Sequence, residues 1–176
     1  ILYLVWVYND TVNRRNTVDE ALGSVDAMLK RRADLIPAAV EAVARYVKHE
    51  RSLLEGLVRL RSEAAGLAAD SPERQAVEKE IGRGLKGLFA LAEGYPQLRA
   101  ADSFVALQRT LDEVEAGIQA ARRFYNTAVR DYENARAMVP HRLFTTGWRK
   151  RPMFEIPEED RKPVDMEALF AKALAK

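Results

Sequence analysis

Hydrophobic residues recur at alternating steps of three and four along residues 101–139. The positions are Phe104, Leu107, Leu111, Val114, Ile118, Ala121, Tyr125, Ala128, Tyr132, Ala135 and Val139. This spacing places every one of them on one face of a helix. Asp102 or Ser103 can cap its start and Pro140 ends it. The pattern therefore predicts one long helix over residues 102–139.

The same spacing occurs twice before residue 60. It runs first through Leu4, Tyr8, Thr11, Arg15, Val18, Leu22, Val25 and Leu29, and then through Ile36, Val40, Val43, Val47, Glu50, Leu54 and Leu57. Proline costs about 3 kcal/mol inside a helix but is tolerated in its first turn. We therefore predict a tight turn near Ala33, with Asp34 as the cap of the second helix and Pro37 in its first turn. One long helix kinked at Pro37 is the alternative, and its length of ~90 Å for ~60 residues disfavours it.

A third helix begins at Asp70-Ser71-Pro72-Glu73, where capping residues precede a proline, and it ends before Gly94-Tyr95-Pro96. Short loops make neighbouring helices antiparallel. The predicted fold class is therefore all-α, an antiparallel up-down-up-down four-helix bundle over residues 9–140. Its helices span about 2–32, 35–68, 72–93 and 102–139. Residues 141–176 are predicted to form a long extended basic and aromatic tail, and the spacing over 166–174 is typical of a short amphipathic helix.

Composition narrows the possible chemistry. Hydrophobic residues make up 48% of the 176 and can build the core of one domain. The formal net charge of +2 argues against a dedicated nucleic-acid binder. The chain has no cysteine, which excludes disulfides and thiolate chemistry. Its two histidines lack metal-ligand spacing, so we predict no metal, no cofactor and no enzymatic activity.

The first eight residues, Ile1–Tyr8, form an apolar run. A membrane-crossing helix needs about 20 apolar residues, so this run cannot cross a bilayer by itself. By length alone it is either the hydrophobic start of a soluble helix or the last turns of a transmembrane helix.

Four stretches of the chain share a joint pattern with a known family. They are Tyr8-Asn9 with Asn16–Ala21; Asp26–Pro37 with Tyr46, His49 and Glu50; Ala92–Ala100 with Phe104, Leu107 and Gln108; and Ala121–Asn126 with Val129, Tyr132, Pro140, Phe154 and Glu155. The pattern resembles the LemA family of bacterial membrane-anchored proteins over residues 1 to about 165. The resemblance implies a short N-terminal segment, one transmembrane helix and a helical bundle, and it implies no catalytic residue. Residues 1–8 are then predicted to be the end of a transmembrane helix.

Polar residues interrupt the hydrophobic pattern at Arg15 and Glu50. A turn near Ala33 would bring these two positions together, and an antiparallel last helix would add its middle. We predict a core polar layer of Arg15, Asn16, His49, Glu50, Tyr125 and Asn126. Such a layer either fixes the helix register, which we favour, or holds a ligand or ion.

Two further clusters carry charge. Lys30-Arg31-Arg32 is interpreted as a helix C-terminus, where cations complement the macrodipole, or as a tip that docks a partner. In the tail, basic and aromatic residues alternate. The candidate membrane-surface contacts are Arg142, Phe144, Trp148, Arg149, Lys150 and Arg151. Such residues favour lipid headgroups, but the aromatic ones can instead fold back over the open end of the bundle. Both interpretations stay open.

The leading functional hypothesis is a single-pass membrane-anchored, non-catalytic interaction or scaffold protein with an unknown protein partner. Basic residues near the predicted anchor favour a bundle on the cytoplasmic side of the bacterial inner membrane. A small-molecule sensor that uses the polar layer is the alternative, and an unrecognised hydrolase is a third hypothesis.

Overall fold

The computed structural model describes residues 1–47 and 50–155. This part of the chain contains six helices and no strand, which confirms the all-α class. The helices are α1 (Leu2–Ala44), α2 (Arg51–Ala65), α3 (Pro72–Ala92), α4 (Pro96–Arg99), α5 (Asp102–Ala137) and α6 (His141–Phe144). The short helices α4 and α6 were not predicted. The predicted amphipathic helix over 166–174 lies outside the described residues.

The helix α1 runs unbroken through Pro37, so the predicted turn near Ala33 was wrong. Proline lacks the N–H that would bind the carbonyl of Ala33, four residues earlier. Arg61 of α2 supplies the missing donor, because its Nε donates to the Ala33 carbonyl over 2.8 Å. The chain reverses instead after Ala44, and α2 begins only at Arg51. The 43 residues of α1 make it about 64 Å long.

The predictions for α3 and α5 were close to the observed bounds. The Ser71 hydroxyl accepts a hydrogen bond from the Arg74 N–H over 3.0 Å, and Pro72 occupies the first turn of α3. These local signals placed the start of the helix because they depend only on neighbouring residues.

Residue pairs give the relative directions of the helices. Asp10 contacts His141 and Arg32 contacts Glu115, so rising numbers on α1 meet falling numbers along α5 and the residues just after it. The same inverse order relates α2 to α3, where Leu57 lies against Gly84 and the carbonyl of Ala64 accepts from Arg74. The helix α1 packs most extensively against α5.

Two hydrophobic clusters divide the core. The first takes residues from α1 after Leu35 and from α2, α3, α4 and the start of α5. The second lies between Val18–Leu29 of α1 and Val114–Tyr132 of α5, and Phe154 completes it. Among the described residues, the first cluster therefore draws on helices α1 to α5 and lies toward one end of the molecule. The other end is a two-helix pair covered by residues 145–155, which we call the C-terminal segment.

Candidate functional site

The structure does not assemble the predicted polar layer. Arg15, Asn16 and Glu50 are exposed, and His49 lies outside the described residues. Because α1 does not turn at Ala33, about 44 Å of helix separates Arg15 from Ala44, near which Glu50 lies. The prediction was wrong for these residues because the antiparallel pairing on which it depended does not exist.

Tyr125 and Asn126 are buried, as expected, but they bind the C-terminal segment. The Tyr125 hydroxyl donates to the carbonyl of Pro152 over 3.0 Å. The Asn126 amide donates to the Phe154 carbonyl and accepts from the Phe154 N–H, both over 2.9 Å. Burial raises the pKa of Tyr125 to about 12, so the hydroxyl stays a hydrogen-bond donor at neutral pH.

Several candidate membrane-contact residues of the tail fold back on the helices. The Trp148 ring stacks on Tyr132 with centroids 6.4 Å apart, and the Arg15 guanidinium lies 5.2 Å from the Trp148 centroid. Arg151 forms an ion pair with Asp19 of α1. Phe144 meets Tyr8 edge-on at 6.0 Å. Trp148, Arg151 and Phe144 are therefore at least partly engaged with the helices, whereas Arg142, Arg149 and Lys150 are exposed.

An apolar surface occupies the end of the molecule that contains residue 1. We call it the apolar end, and it comprises Leu2, Tyr3, Leu4, Val5, Trp6, Met138, Val139 and Leu143. Each of these side chains is exposed, with Leu2 at 86% and Leu143 at 70%. Val7 is fully buried, whereas Tyr8 next to it is again 46% exposed. A group of large exposed apolar side chains is typical of an interaction surface.

Charged groups border the apolar end. Asp10 accepts from Arg14 over 2.7 Å and lies 3.2 Å from the Nε2 atom of His141. The hydrogen bond from Arg14 holds the pKa of Asp10 below its usual value, with a smaller contribution from His141. This pairing fixes the start of α6 against α1 and keeps exposed Arg142 close to the apolar end.

A buried ion network joins α1, α3 and α5 in the middle of the molecule. Arg32 is 3% exposed and pairs with the carboxylates of Glu78 and Glu115. Arg74 donates from Nε to Glu78 over 2.6 Å. Burial, and then the positive charge of Arg32, lowers the pKa of Arg122, which lies beside this network. Because α1 continues to Ala44, the interpretation of Lys30-Arg31-Arg32 as a helix C-terminus was wrong; Arg32 is buried, whereas Lys30 and Arg31 are exposed.

Sequence reasoning missed this network for a physical reason. Arg32 is the last residue of the first predicted helix, and its partners lie 46 and 83 residues away. The usable signal was Glu78, which stands one residue after Val77 on the hydrophobic face of α3. A buried carboxylate requires a cation, but spacing alone does not name which one.

Two surface clefts are lined by side chains that indicate no particular ligand or reaction. One, of about 410 Å³, is lined by Lys86, Phe89, Glu93, Arg99 and Phe104. The other, of about 430 Å³, lies between Val40 of α1 and Leu54 of α2. Both are open to solvent. Within residues 1–47 and 50–155, no three histidine, aspartate or glutamate side chains converge as a metal site would require.

A comparison with protein families decides the family. The model of the LemA family matches residues 21–167, which is most of the chain. The chain belongs to the LemA family. This confirms the resemblance found in the sequence. No curated protein matches the chain. Across the part of this LemA protein that the structure describes, no helix is both long enough and apolar enough to cross a bilayer.

Proposed function

We propose that this LemA protein is a membrane-attached, non-catalytic interaction module. The observation that carries the proposal is the apolar end, where five consecutive residues from Leu2 to Trp6 are each at least 46% exposed. A surface of this kind is costly in water and favourable against lipid. We propose the bacterial inner membrane as its location, in line with the single-pass anchor that the family resemblance implies.

Positive charge near the apolar end supports contact with a lipid surface. Arg142 lies in α6, which contacts α1, whereas Arg149 and Lys150 lie between Trp148 and Arg151, which contact Arg15 and Asp19 farther along α1. Each basic residue near an anionic headgroup contributes about 1 kcal/mol. Aromatic residues such as Tyr3 and Trp6 favour the headgroup region. The same positive charges favour a helical domain on the cytoplasmic side, and a reporter fused after Lys176 that signals the exterior would contradict this orientation.

The remainder of the molecule supports interaction more than catalysis. We propose an antiparallel four-helix arrangement around the first hydrophobic cluster, which acts as a rigid support. The sensor hypothesis has less support, because Arg15, Asn16 and Glu50 of the predicted polar layer are exposed. The carboxylates of Glu78 and Glu115 are both paired with Arg32, which leaves them unsuited to acid–base work.

Vesicle binding tests the membrane proposal with a matched pair of valines. Val5 is 51% exposed at the apolar end, and Val105 is 52% exposed on α5 near the opposite end. The Val5→Asp variant should sediment with phosphatidylglycerol-containing vesicles at least ~10-fold less than wild type, because a charge near hydrocarbon costs about 1–3 kcal/mol. Val105→Asp should bind like wild type. Equal vesicle binding by all three chains would contradict the proposal.

A further inference from the structure

The groove between α1 and α5 holds a peptide-like occupant. The C-terminal segment enters the groove at Trp148 and leaves the described residues at Glu155, and residues 149–155 have no helix or strand. Within 149–155, no backbone-to-backbone hydrogen bond is present. Contacts with the groove therefore hold this part of the chain in place, as they would hold a separate peptide.

The groove contacts four separate features of its occupant. Asn126 binds both backbone groups of Phe154, and Tyr125 donates to the carbonyl of Pro152. Asp19 pairs with the guanidinium of Arg151. The Phe154 ring is 4% exposed and lies edge-on to Tyr125 at 5.0 Å, with the Arg122 guanidinium 5.4 Å from its centroid. Backbone bonds, a charged pair and a buried aromatic anchor are the features that peptide-recognition sites use.

The groove is built without help from its occupant. On one side, Arg32 joins α1 to Glu115 of α5 over 2.8 Å. On the other side, Asp10 contacts His141, and Tyr8 packs against Phe144. These contacts hold α1 against α5 at one end of the groove and against α6, which follows α5 in the chain, at the other end. Displacement of residues 151–154 would therefore open the groove while the two helices stay paired.

We propose that the α1/α5 groove is a peptide-recognition site that the C-terminal segment occupies in cis, and that its partner is another protein presenting a non-helical Arg-Pro-x-Phe segment. Asp19 selects the basic residue, and the pocket beside Tyr125 and Arg122 selects the aromatic ring. A tethered segment competes at an effective concentration on the order of mM. A partner must therefore bind the groove strongly enough to displace the tethered segment, so the cis segment sets the affinity or concentration that a partner needs. This inference rests on the proposed interaction function and names its partner class.

A labelled peptide of residues 147–155 tests the site in the absence of lipid. The receptor is the full chain with Phe154→Ala, which weakens the cis occupant. Fluorescence anisotropy should show saturable binding at least ~10-fold tighter than for the wild-type chain, because the competitor has been weakened. A peptide carrying Phe154→Ala should bind at least ~10-fold more weakly to the same receptor.

A matched pair of asparagines on α5 controls for unspecific effects. Adding Asn126→Ala to the receptor should abolish saturable binding. Adding Asn134→Ala, at an exposed position of the same helix, should leave the affinity unchanged. Circular dichroism verifies that each receptor keeps its helices. If Phe154→Ala unfolds the chain, Arg151→Glu serves as the receptor, because it sets a carboxylate against Asp19 near the surface without creating a cavity.

Three outcomes would overturn the proposal. The first is no saturable binding by a helical receptor at peptide concentrations on the order of mM. The second is equal affinity for the Phe154→Ala peptide. The third is a wild-type chain that dimerises with concentration and is dissociated by the peptide, because the occupant in trans would then be a second copy of this chain. Failure of vesicle binding leaves these results unaffected, so the two proposals fail separately.

Discussion

Arg32 shows how one buried side chain determines the packing of three helices. Its guanidinium donates to Glu115 of α5 over 2.8 Å and to the backbone carbonyl of Glu78 over 3.0 Å, besides pairing with the Glu78 carboxylate. Charges withdrawn from water are stable only when paired and hydrogen-bonded. The contacts therefore specify the alignment of α1, α3 and α5 more than they add stability.

The Glu78→Gln variant tests how strongly the packed helices depend on this ion network. The substitution keeps the side-chain volume but leaves the buried guanidinium groups of Arg32 and Arg74 without their shared anion. Breaking one partner of a buried pair costs about 3–5 kcal/mol in the free energy of unfolding. The control is Glu80→Gln, whose exposed pair with Arg83 contributes at most about 1 kcal/mol. Urea denaturation measures both, and similar losses for the two variants would contradict the role assigned to Glu78.

At the scale of elements, α1 is continuous because α2 supplies the hydrogen-bond donor that Pro37 of α1 lacks. The carbonyl of Ala33 faces a proline four residues later and accepts from Arg61 of α2 instead. A buried carbonyl without a donor costs about 1–3 kcal/mol. The long helix therefore depends on α2, which packs beside it.

A double-mutant cycle on Pro37 and Arg61 tests this dependence. Arg61→Ala in the natural background should lower the free energy of unfolding by about 1–3 kcal/mol, because the Ala33 carbonyl loses its donor. In a Pro37→Ala background the new N–H can serve that carbonyl, so the same change should cost less. We expect a coupling energy of about 1–2 kcal/mol from thermal and urea denaturation. Strict additivity would show that Arg61 acts only through its surface contact with Asp34.

Gly84 of α3 permits a close contact with α2. A Cβ on Gly84 would lie 2.7 Å from the Cδ2 atom of buried Leu57, whereas nothing lies within 4 Å of a Cβ on Gly56. The close approach at Gly84 explains why a residue with poor helix propensity sits inside α3. At Gly56 the described surroundings give no such reason.

At the scale of the whole molecule, the two hydrophobic clusters differ in how many helices enclose them. The first is enclosed by helices on several sides, whereas among residues 1–47 and 50–155 the second is closed on one side by Phe154 and Trp148. Regions with fewer packed neighbours open at lower free energy. The half of the molecule beside the C-terminal segment should therefore be the more easily opened half.

Hydrogen exchange on the Phe154→Ala chain measures that difference. Removing a buried phenylalanine costs about 3–5 kcal/mol where the cavity cannot collapse. We expect faster amide exchange over Val18–Leu29 and Ile118–Tyr132, with little change over Ile81–Leu88 of α3. Uniformly faster exchange would instead show that the two clusters unfold as one unit.

The helices that could be predicted have their signals nearby in the sequence. The hydrophobic stripe of α5 repeats within each turn, and the cap of α3 comes from Ser71 and Pro72 at its own start. The predicted turn near Ala33 failed because it weighed Pro37 without its distant donor. The candidate site residues show the same division between features with a local sequence signal and features that depend on a distant partner. The burial of Tyr125 followed from the helical pattern and that of Asn126 from its place in the predicted polar layer, but their partner, the C-terminal segment, was not predicted.

Local chemistry thus determined the all-α class and the bounds of α3 and α5, since propensity, capping and periodicity act over a few residues. The family came from a resemblance in the joint residue pattern, which the family comparison confirmed. Tertiary structure alone decided the continuity of α1, the burial of Arg32 and the filling of the α1/α5 groove. Each of these depends on a group at least 27 residues away, namely Arg61 for Ala33, Glu78 and Glu115 for Arg32, and Pro152 for Tyr125. A hydrogen bond or ion pair across such a separation forms only after the helices have packed, so no local pattern in the chain records it.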